Sequence, residues 1–141
     1  MKRSKKHMLF AMFLLICHCV LLGACAPSEA QPEKIKDLEY TIVGEDKQPD
    51  ALKEIIEEKK SSEFQMSYSL GEDMYIVVGY GEQSSGGYSI TVNEFYESES
   101  ELYLDTTLLG PDSAENVTDV ITTPYIVIKI ENIEGKEISF N

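Results

Sequence analysis

Apolar residues form a nearly continuous run from Met8 to Leu22, directly after a basic head, KRSKK, that begins at Lys2. A membrane-spanning helix needs about 20 apolar residues, and this run is shorter. A basic head, a short apolar run and then small residues are typical of an export signal. We therefore predict that residues 1–24 are a signal peptide that is removed from the mature protein.

The end of this segment predicts a lipid anchor. Leu22, Gly23, Ala24 and Cys25 have the order of a lipobox, in which the cysteine thiol takes a diacylglycerol before cleavage. An ordinary cleavage site followed by a chance cysteine is the alternative. Two acyl chains, with palmitate expected, anchor stably because each buried methylene contributes about 0.8 kcal/mol. We expect the mature chain on the extracellular face of the cell membrane, anchored through Cys25.

After the anchor, residues 25–36 are polar, contain two prolines and show no periodicity, which is typical of a flexible tether. The folded domain is expected over residues 37–141. Its first element is a predicted strand, Leu38–Val43. A helix is then predicted from Pro49 and Asp50 to Lys60, because Leu52, Ile55 and Ile56 repeat at helical spacing and form one apolar face for a sheet.

From residue 64 onward the apolar period changes to two, which indicates strands. Five are well marked: Phe64–Ser69, Met74–Tyr80, Tyr88–Tyr96, Leu102–Leu108 and Tyr125–Ile130. Val117–Thr122 and Glu137–Phe140 are weaker candidates. The predicted fold class is α+β and mainly antiparallel β, with one N-terminal helix packed on a sheet of about six or seven strands.

Composition excludes several classes of chemistry. Removal of the signal takes the net charge from −13 to −17, which disfavours nucleic acid as a partner. Such acidity keeps an exported domain soluble, or it fits a basic partner. Both histidines lie in the signal, so the mature chain has no His-dependent nucleophile and no His-ligated metal. With Cys25 lipidated, no disulfide forms within the mature domain. We predict no cofactor and no metal.

Acidic clusters offer two further candidate sites. Glu94, Glu97, Glu99 and Glu101 surround a predicted turn and are interpreted as solvated charge, since no pair of them is marked as catalytic. Asp112, Glu115 and Asp119 lie in one loop, but their spacing does not fit a calcium-binding loop. A solvated loop is the favoured interpretation, and we predict that the protein is not an enzyme.

The densest local signal is four glycines within residues 79–87, where one predicted strand ends at Tyr80 and the next begins at Tyr88. We call residues 81–87 the glycine-rich loop. It contains no lysine and leads into a strand, whereas phosphate-binding loops lead into a helix. The glycines suit either a tight turn or a close approach by another backbone, and the flanking tyrosines suit either sheet packing or a binding surface.

This segment resembles the C-terminal domain of protease complex subunit PrcB, a domain common in lipoproteins of Gram-positive bacteria. The resemblance covers about residues 74–130 and rests on the motifs GYG at Gly79, SGGYSI at Ser85 and TPYIVIKI at Thr123, together with Pro111. The chain departs from the family pattern at Ser84, Ser85 and Thr123, where Pro, Thr and Tyr are frequent. These departures bear on the choice of partner more than on the fold.

The resemblance implies a non-catalytic, protein-binding module that associates with or stabilises an exported protease. It defines no catalytic residues. The alternative is a ligand-binding or structural envelope lipoprotein with no protease partner. The residues proposed to contact a partner are Tyr80, Gln83, Ser85, Gly86, Gly87 and Tyr88.

Overall fold

The computed structural model describes residues 31–111 and 117–141 of the chain. The predicted signal peptide, the lipidation site at Cys25 and the first part of the tether lie outside these residues. So do Asp112 and Glu115, two of the three acidic residues considered above for calcium. The predictions made for these parts of the chain therefore stay predictions.

The described residues form eight strands, one α-helix and a short 3-10 turn at Glu45–Lys47. The helix, α1, spans Asp50–Lys59 and begins after Pro49, as the apolar spacing predicts. The strands are β1 (Lys36–Asp37), β2 (Thr41–Ile42), β3 (Glu63–Leu70), β4 (Asp73–Tyr80), β5 (Ser89–Glu97), β6 (Glu101–Leu109), β7 (Tyr125–Glu131) and β8 (Glu137–Phe140).

The strands form two four-stranded sheets, in the orders β1-β5-β6-β8 and β2-β7-β4-β3. All neighbouring strands are antiparallel except β6 and β8, which are parallel. The α+β class with mainly antiparallel strands is therefore confirmed, but the expectation of a single sheet of six or seven strands is wrong. We call the sheet that contains β5 the outer sheet and the sheet that contains β4 the central sheet.

Strand β4 explains why two sheets are needed. Its residues from Met74 to Gly79 are all buried, so both of its faces require a cover. Met74, Ile76 and Val78 belong to a core shared with Phe95, Leu102 and Leu104 of the outer sheet. The intervening residues, Tyr75 and Val77, belong to a second core on the opposite face. A run of adjacent apolar residues, as opposed to an alternating pattern, is the sequence feature of a strand buried on both faces.

Helix α1 covers that opposite face. Leu52 and Ile56 are fully buried against Val77 and Val127 of the central sheet. Strand β7 follows the same rule as β4, since Ile126, Ile128 and Ile130 lie in the core between the sheets. The molecule therefore has three layers in the order helix, central sheet and outer sheet.

Two predicted strands differ from the structure. Leu38–Val43 is not one strand, because β1 pairs with β5 of the outer sheet and β2 pairs with β7 of the central sheet. The residues between them cross from one sheet to the other. Val117–Thr122 does not form a strand either. Of its residues, Thr122 makes one isolated bridge to Gln83, and the backbone otherwise takes no part in a sheet.

The last residues of the predicted tether contact the outer sheet. The amide of Ile35 donates to the carbonyl of Glu97 at 2.8 Å, and the hydroxyl of Tyr96 donates to the carbonyl of Pro32 at 3.0 Å. Lys34 lies over the Tyr96 ring, 5.4 Å from its centroid. These contacts fix where the chain leaves the folded domain toward its N-terminus.

Candidate functional site: the glycine-rich loop

The glycine-rich loop joins β4 of the central sheet to β5 of the outer sheet, and its backbone requires glycine at two points. Gly81 has φ +68° and Gly87 has φ +85°, a conformation that L side chains rarely adopt. At Gly86 the reason is space, because a Cβ atom there would lie 2.5 Å from Oγ1 of Thr118. The glycines therefore allow a tight path and a close approach by a second segment of chain.

That second segment is residues 118–122, which we call the bracing segment. The amide of Gln83 donates to the carbonyl of Thr122 at 2.8 Å, and the amide of Thr122 donates back at 3.1 Å. The amide of Gly86 donates to the carbonyl of Thr118 at 3.0 Å. The hydroxyl of Thr122 donates to the carbonyl of Ser85 at 2.6 Å. These four hydrogen bonds hold the loop in one conformation.

The two tyrosines that flank the loop have different environments. Tyr80 packs against the core between the sheets, and its hydroxyl shares a hydrogen bond of 2.7 Å with Thr106 of β6. It therefore helps to join the two sheets. Tyr88 is half-buried, and a Cβ atom on Gly110 would lie 3.8 Å from its ring. The ring of Tyr88 thus lies beside the residues that leave β6.

The remaining residues proposed for partner contact lie together in the loop. Gln83 is half-buried, and its amide group donates to the carbonyl of Tyr80 at 2.9 Å. Ser85 and Gly86 are half-buried, and Gly87 is exposed. The structure therefore brings Gln83, Ser85, Gly86 and Gly87 together in one loop that is braced by residues 118–122.

Sequence reasoning missed the most exposed apolar residues of this surface. Val120 and Ile121, in the bracing segment, are 59% and 67% exposed, and Leu109 at the end of β6 is 46% exposed. Sequence reasoning placed Val120 and Ile121 in a strand, where one of two adjacent residues would face the core. Two neighbouring apolar residues within a polar stretch do not fit that alternation, and this mismatch is the signal that could have identified them.

The two charged residues of the glycine-rich loop and the bracing segment, Glu82 and Asp119, are both acidic. Lys60 and Lys129 are consecutive basic residues in the sequence, so the glycine-rich loop, the bracing segment and strands β3 to β6 contain no lysine or arginine. Glu82 and Asp119 are exposed on either side of the loop contact. A protein that binds here therefore meets apolar side chains together with these two acidic residues, which favours basic residues in the partner.

One of the acidic residues interpreted above as solvated charge has a structural role. Glu97 is half-buried, with Oε1 2.6 Å from Nζ of Lys136 and Oε2 2.9 Å from Nζ of Lys36. Hydrogen bonds from Lys136 and then from Lys36 lower the pKa of Glu97 below its usual value. The interpretation as solvated charge is therefore wrong for Glu97, which links β5 to β1 and to the segment before β8.

Within residues 31–111 and 117–141, no group of three or more Cys, His, Asp or Glu side chains lies close enough together to hold a metal ion. Asp119, the described member of the calcium candidate, is exposed. Among the described residues, no helix has both the length and the apolar character that are needed to cross a membrane.

Comparison with models of protein families gives a match. The family model described as PrcB C-terminal matches residues 74–131, which extend from β4 through the glycine-rich loop to the end of β7. Neither the curated proteins nor the solved structures include a significant match to the chain. The matched region contains the four inner strands of the two sheets, β4 to β7, and the braced loop that joins β4 to β5. Over residues 74–131 this chain is therefore similar to the PrcB C-terminal family.

Proposed function

We propose that this protein is an extracellular lipoprotein that binds another exported protein, most specifically a protease, without catalysing a reaction itself. The observation that carries the proposal is the apolar pair Val120 and Ile121, exposed on a segment that is hydrogen-bonded to the loop of a PrcB C-terminal domain. The family match suggests a subunit associated with a protease complex.

The lipid anchor is supported by the order of residues before Cys25 and by the basic and apolar segments that precede it. A Cys25→Ala variant lacks the thiol that forms the thioether. We expect the native chain in the membrane fraction and the variant in its unprocessed form or in the medium. Equal membrane association of a processed Cys25→Ala chain would contradict lipidation at this residue.

The binding role is supported by the rigidity of the loop. Binding immobilises flexible groups at a cost of about 0.5–1.5 kcal/mol for each ordered side chain. In this loop the ordering has already occurred on folding, because Gln83 and Gly86 are hydrogen-bonded to the bracing segment. Val120 and Ile121 are then displayed from a fixed backbone, and covering them removes apolar surface from water.

Site-specific photo-crosslinking tests the proposed surface in living cells. A photoreactive phenylalanine analogue at Ile121 samples the loop surface, and the same analogue at Ile42 of β2 serves as a matched control. The two isoleucines are 67% and 62% exposed, so the probe is equally accessible at both positions. We expect one exported protein, identified by mass spectrometry, to crosslink at Ile121 and not at Ile42.

Two results would count against the proposal. The same set of abundant envelope proteins at both positions would indicate that the loop surface has no specific partner. Crosslinking of a structural envelope component at Ile121, with no protease recovered, would favour the alternative of an envelope lipoprotein without a protease partner.

A further inference from the structure

Strand β3 is an open edge of the central sheet. It pairs through all eight of its residues, Glu63–Leu70, with β4, and the register contains no shift. In the described part of the chain, no backbone hydrogen bond other than this ladder joins β3 to another segment. An edge strand directs the N–H and C=O groups of every second residue away from its one neighbour. β3 therefore presents an unpaired row of donors and acceptors.

Natural edge strands are usually protected against pairing by short length, lysine, proline, a bulge or a covering segment. β3 has eight residues, contains neither lysine nor proline, and has no bulge. Helix α1 covers one face of β3, where Phe64, Met66 and Tyr68 are half-buried, but it does not pair with the edge. By contrast, β1 and β2, the edge strands at the other side of the sheets, have two residues each.

A cleft of about 530 Å³ lies beside the same strand. Glu63, Gln65, Val78 and Tyr80 line it from the central sheet, and Thr106 lines it from β6 of the outer sheet. Glu63 and Gln65 are exposed on this side of β3, and Asn141, directly after β8, closes the cleft from the outer sheet. A strand that paired with β3 would direct alternate side chains to the two faces of the central sheet. Those on one face would enter this cleft. Those on the other face, the α1 side, would continue the apolar row of Phe64, Met66 and Tyr68.

Charge determines which occupant fits. A second copy of this chain would bring two domains of strongly negative net charge together. Glu63 begins β3 and Glu72 lies in the turn that follows it, while no basic residue occurs from residue 61 to residue 128. Alternation along β3 places Glu63 and three neutral polar residues on the cleft side and apolar residues on the helix side. The complementary strand alternates basic and apolar residues.

We propose that β3 is a docking edge for an extended segment of another exported protein, in which lysine or arginine alternates with apolar residues. The segment adds to the central sheet as a fifth strand, so main-chain hydrogen bonds supply affinity and the alternating side chains supply specificity. This site adjoins the glycine-rich loop at Tyr80 and Gly81, but it uses the edge of β3 and not the surface that carries Val120 and Ile121, and it goes beyond the proposed function.

The test uses the lipidated full-length protein in detergent and an eight-residue peptide of alternating lysine and valine, blocked at both ends. Binding is followed by NMR and by hydrogen exchange of the backbone amides. We expect the peptide to slow exchange of amides within β3. A peptide that alternates glutamate and valine should bind at least tenfold more weakly. So should a lysine–valine peptide with N-methyl groups on alternate residues, which has the same charge but lacks the donors.

A pair of variants separates strand addition from general charge attraction. Ser67→Lys adds a charge that opposes strand pairing on the exposed cleft side of β3. Thr91→Lys adds the same charge at an exposed position of β5 and serves as the control. Circular dichroism checks that both fold. We expect at least a tenfold loss of peptide affinity for Ser67→Lys and a change of less than threefold for Thr91→Lys.

Several outcomes would overturn the proposal. The first is an N-methylated peptide that binds as tightly as the unmodified one, and the second is protection of amides outside β3 and not of those within it. The third is the same loss of peptide affinity in the two lysine variants. The last is a dimer of this protein in sedimentation that Ser67→Lys abolishes. An Ile121→Glu variant separates this proposal from the proposed function, because it should lose the exported partner bound at the loop surface while leaving peptide binding at β3 unchanged. Failure of one proposal therefore does not imply failure of the other.

Discussion

A methyl group added at Gly79 should destabilise the domain, although glycine in a strand is normally replaced by alanine without loss. A Cβ atom at this position would lie 2.2 Å from Cε1 and 2.7 Å from Cδ1 of Phe64, its partner across the β3–β4 ladder. The backbone of Gly79 is not in the left-handed region, so Gly79→Ala brings no backbone strain. The effect therefore reports the contact between the ring of Phe64 and the glycine.

The expected magnitude is the difference of two effects. Reduced freedom of the unfolded chain favours alanine by about 0.4–1 kcal/mol. Insertion of a methyl group into an occupied space costs about 1–3 kcal/mol, because the ring or the backbone must shift. We expect Gly79→Ala to lower the free energy of unfolding by about 1–2 kcal/mol in urea denaturation.

Two further variants make this prediction specific. At Gly110 an added Cβ atom would lie 3.8 Å from the ring of Tyr88, an ordinary contact, so Gly110→Ala should change stability by less than about 0.5 kcal/mol. In a Phe64→Leu background the ring is absent, and Gly79→Ala should cost at least about 1 kcal/mol less than in the native background. Equal costs in the two backgrounds, or a Gly79→Ala protein as stable as the native one, would refute the reasoning.

Three other predictions follow from the layers, the loop and the ion pairs. Ile76→Ala, at a fully buried position, should cost about 2–5 kcal/mol in urea denaturation, whereas Ile42→Ala, at an exposed one, should cost less than about 0.5; equal costs would contradict the two-sheet core. Thr122→Val removes the donor to the carbonyl of Ser85 and should speed amide exchange in the glycine-rich loop, with a loss of about 0.5–1.5 kcal/mol; unchanged exchange would contradict the bracing. Because the folded-state pKa of Glu97 is lowered from 4.5, its stabilising contribution is present above that pH and disappears as the pH falls through the folded value. Glu97→Gln should therefore be less stable than the native protein at pH 7, and the difference should shrink below about pH 4.5; a difference independent of pH would contradict the ion pairs.

The sequence contains the local elements of the fold more clearly than their arrangement. The helix and six of the strands follow from apolar spacing, because each of these segments has one pattern along its length. The division into two sheets is a non-local property. It is present in the sequence as the adjacent apolar residues of Met74–Gly79 and Tyr125–Ile130, which one helix on one sheet cannot cover on both faces.

The short crossing between β1 and β2 was not predictable from local pattern. Leu38–Val43 alternates as one strand would, and only the partners β5 and β7 reveal that its two ends belong to different sheets. The hydrogen bonds from Thr118 and Thr122 to the loop are likewise set by tertiary structure. Sequence located the glycine-rich loop correctly, but it could not show that the loop is braced, nor that Val120 and Ile121 are exposed beside it.

We propose that the surface of the glycine-rich loop and the bracing segment stabilises an exported protease, and the lifetime of that protease tests the proposal most directly. The measurement is the half-life of exported protease activity in cells that lack this protein, complemented with the native chain, with Ile121→Glu or with Ile42→Glu. We predict that the native chain and Ile42→Glu restore the half-life, whereas Ile121→Glu, present at equal level, does not. Unchanged protease half-lives in the cells that lack the protein would contradict the claim.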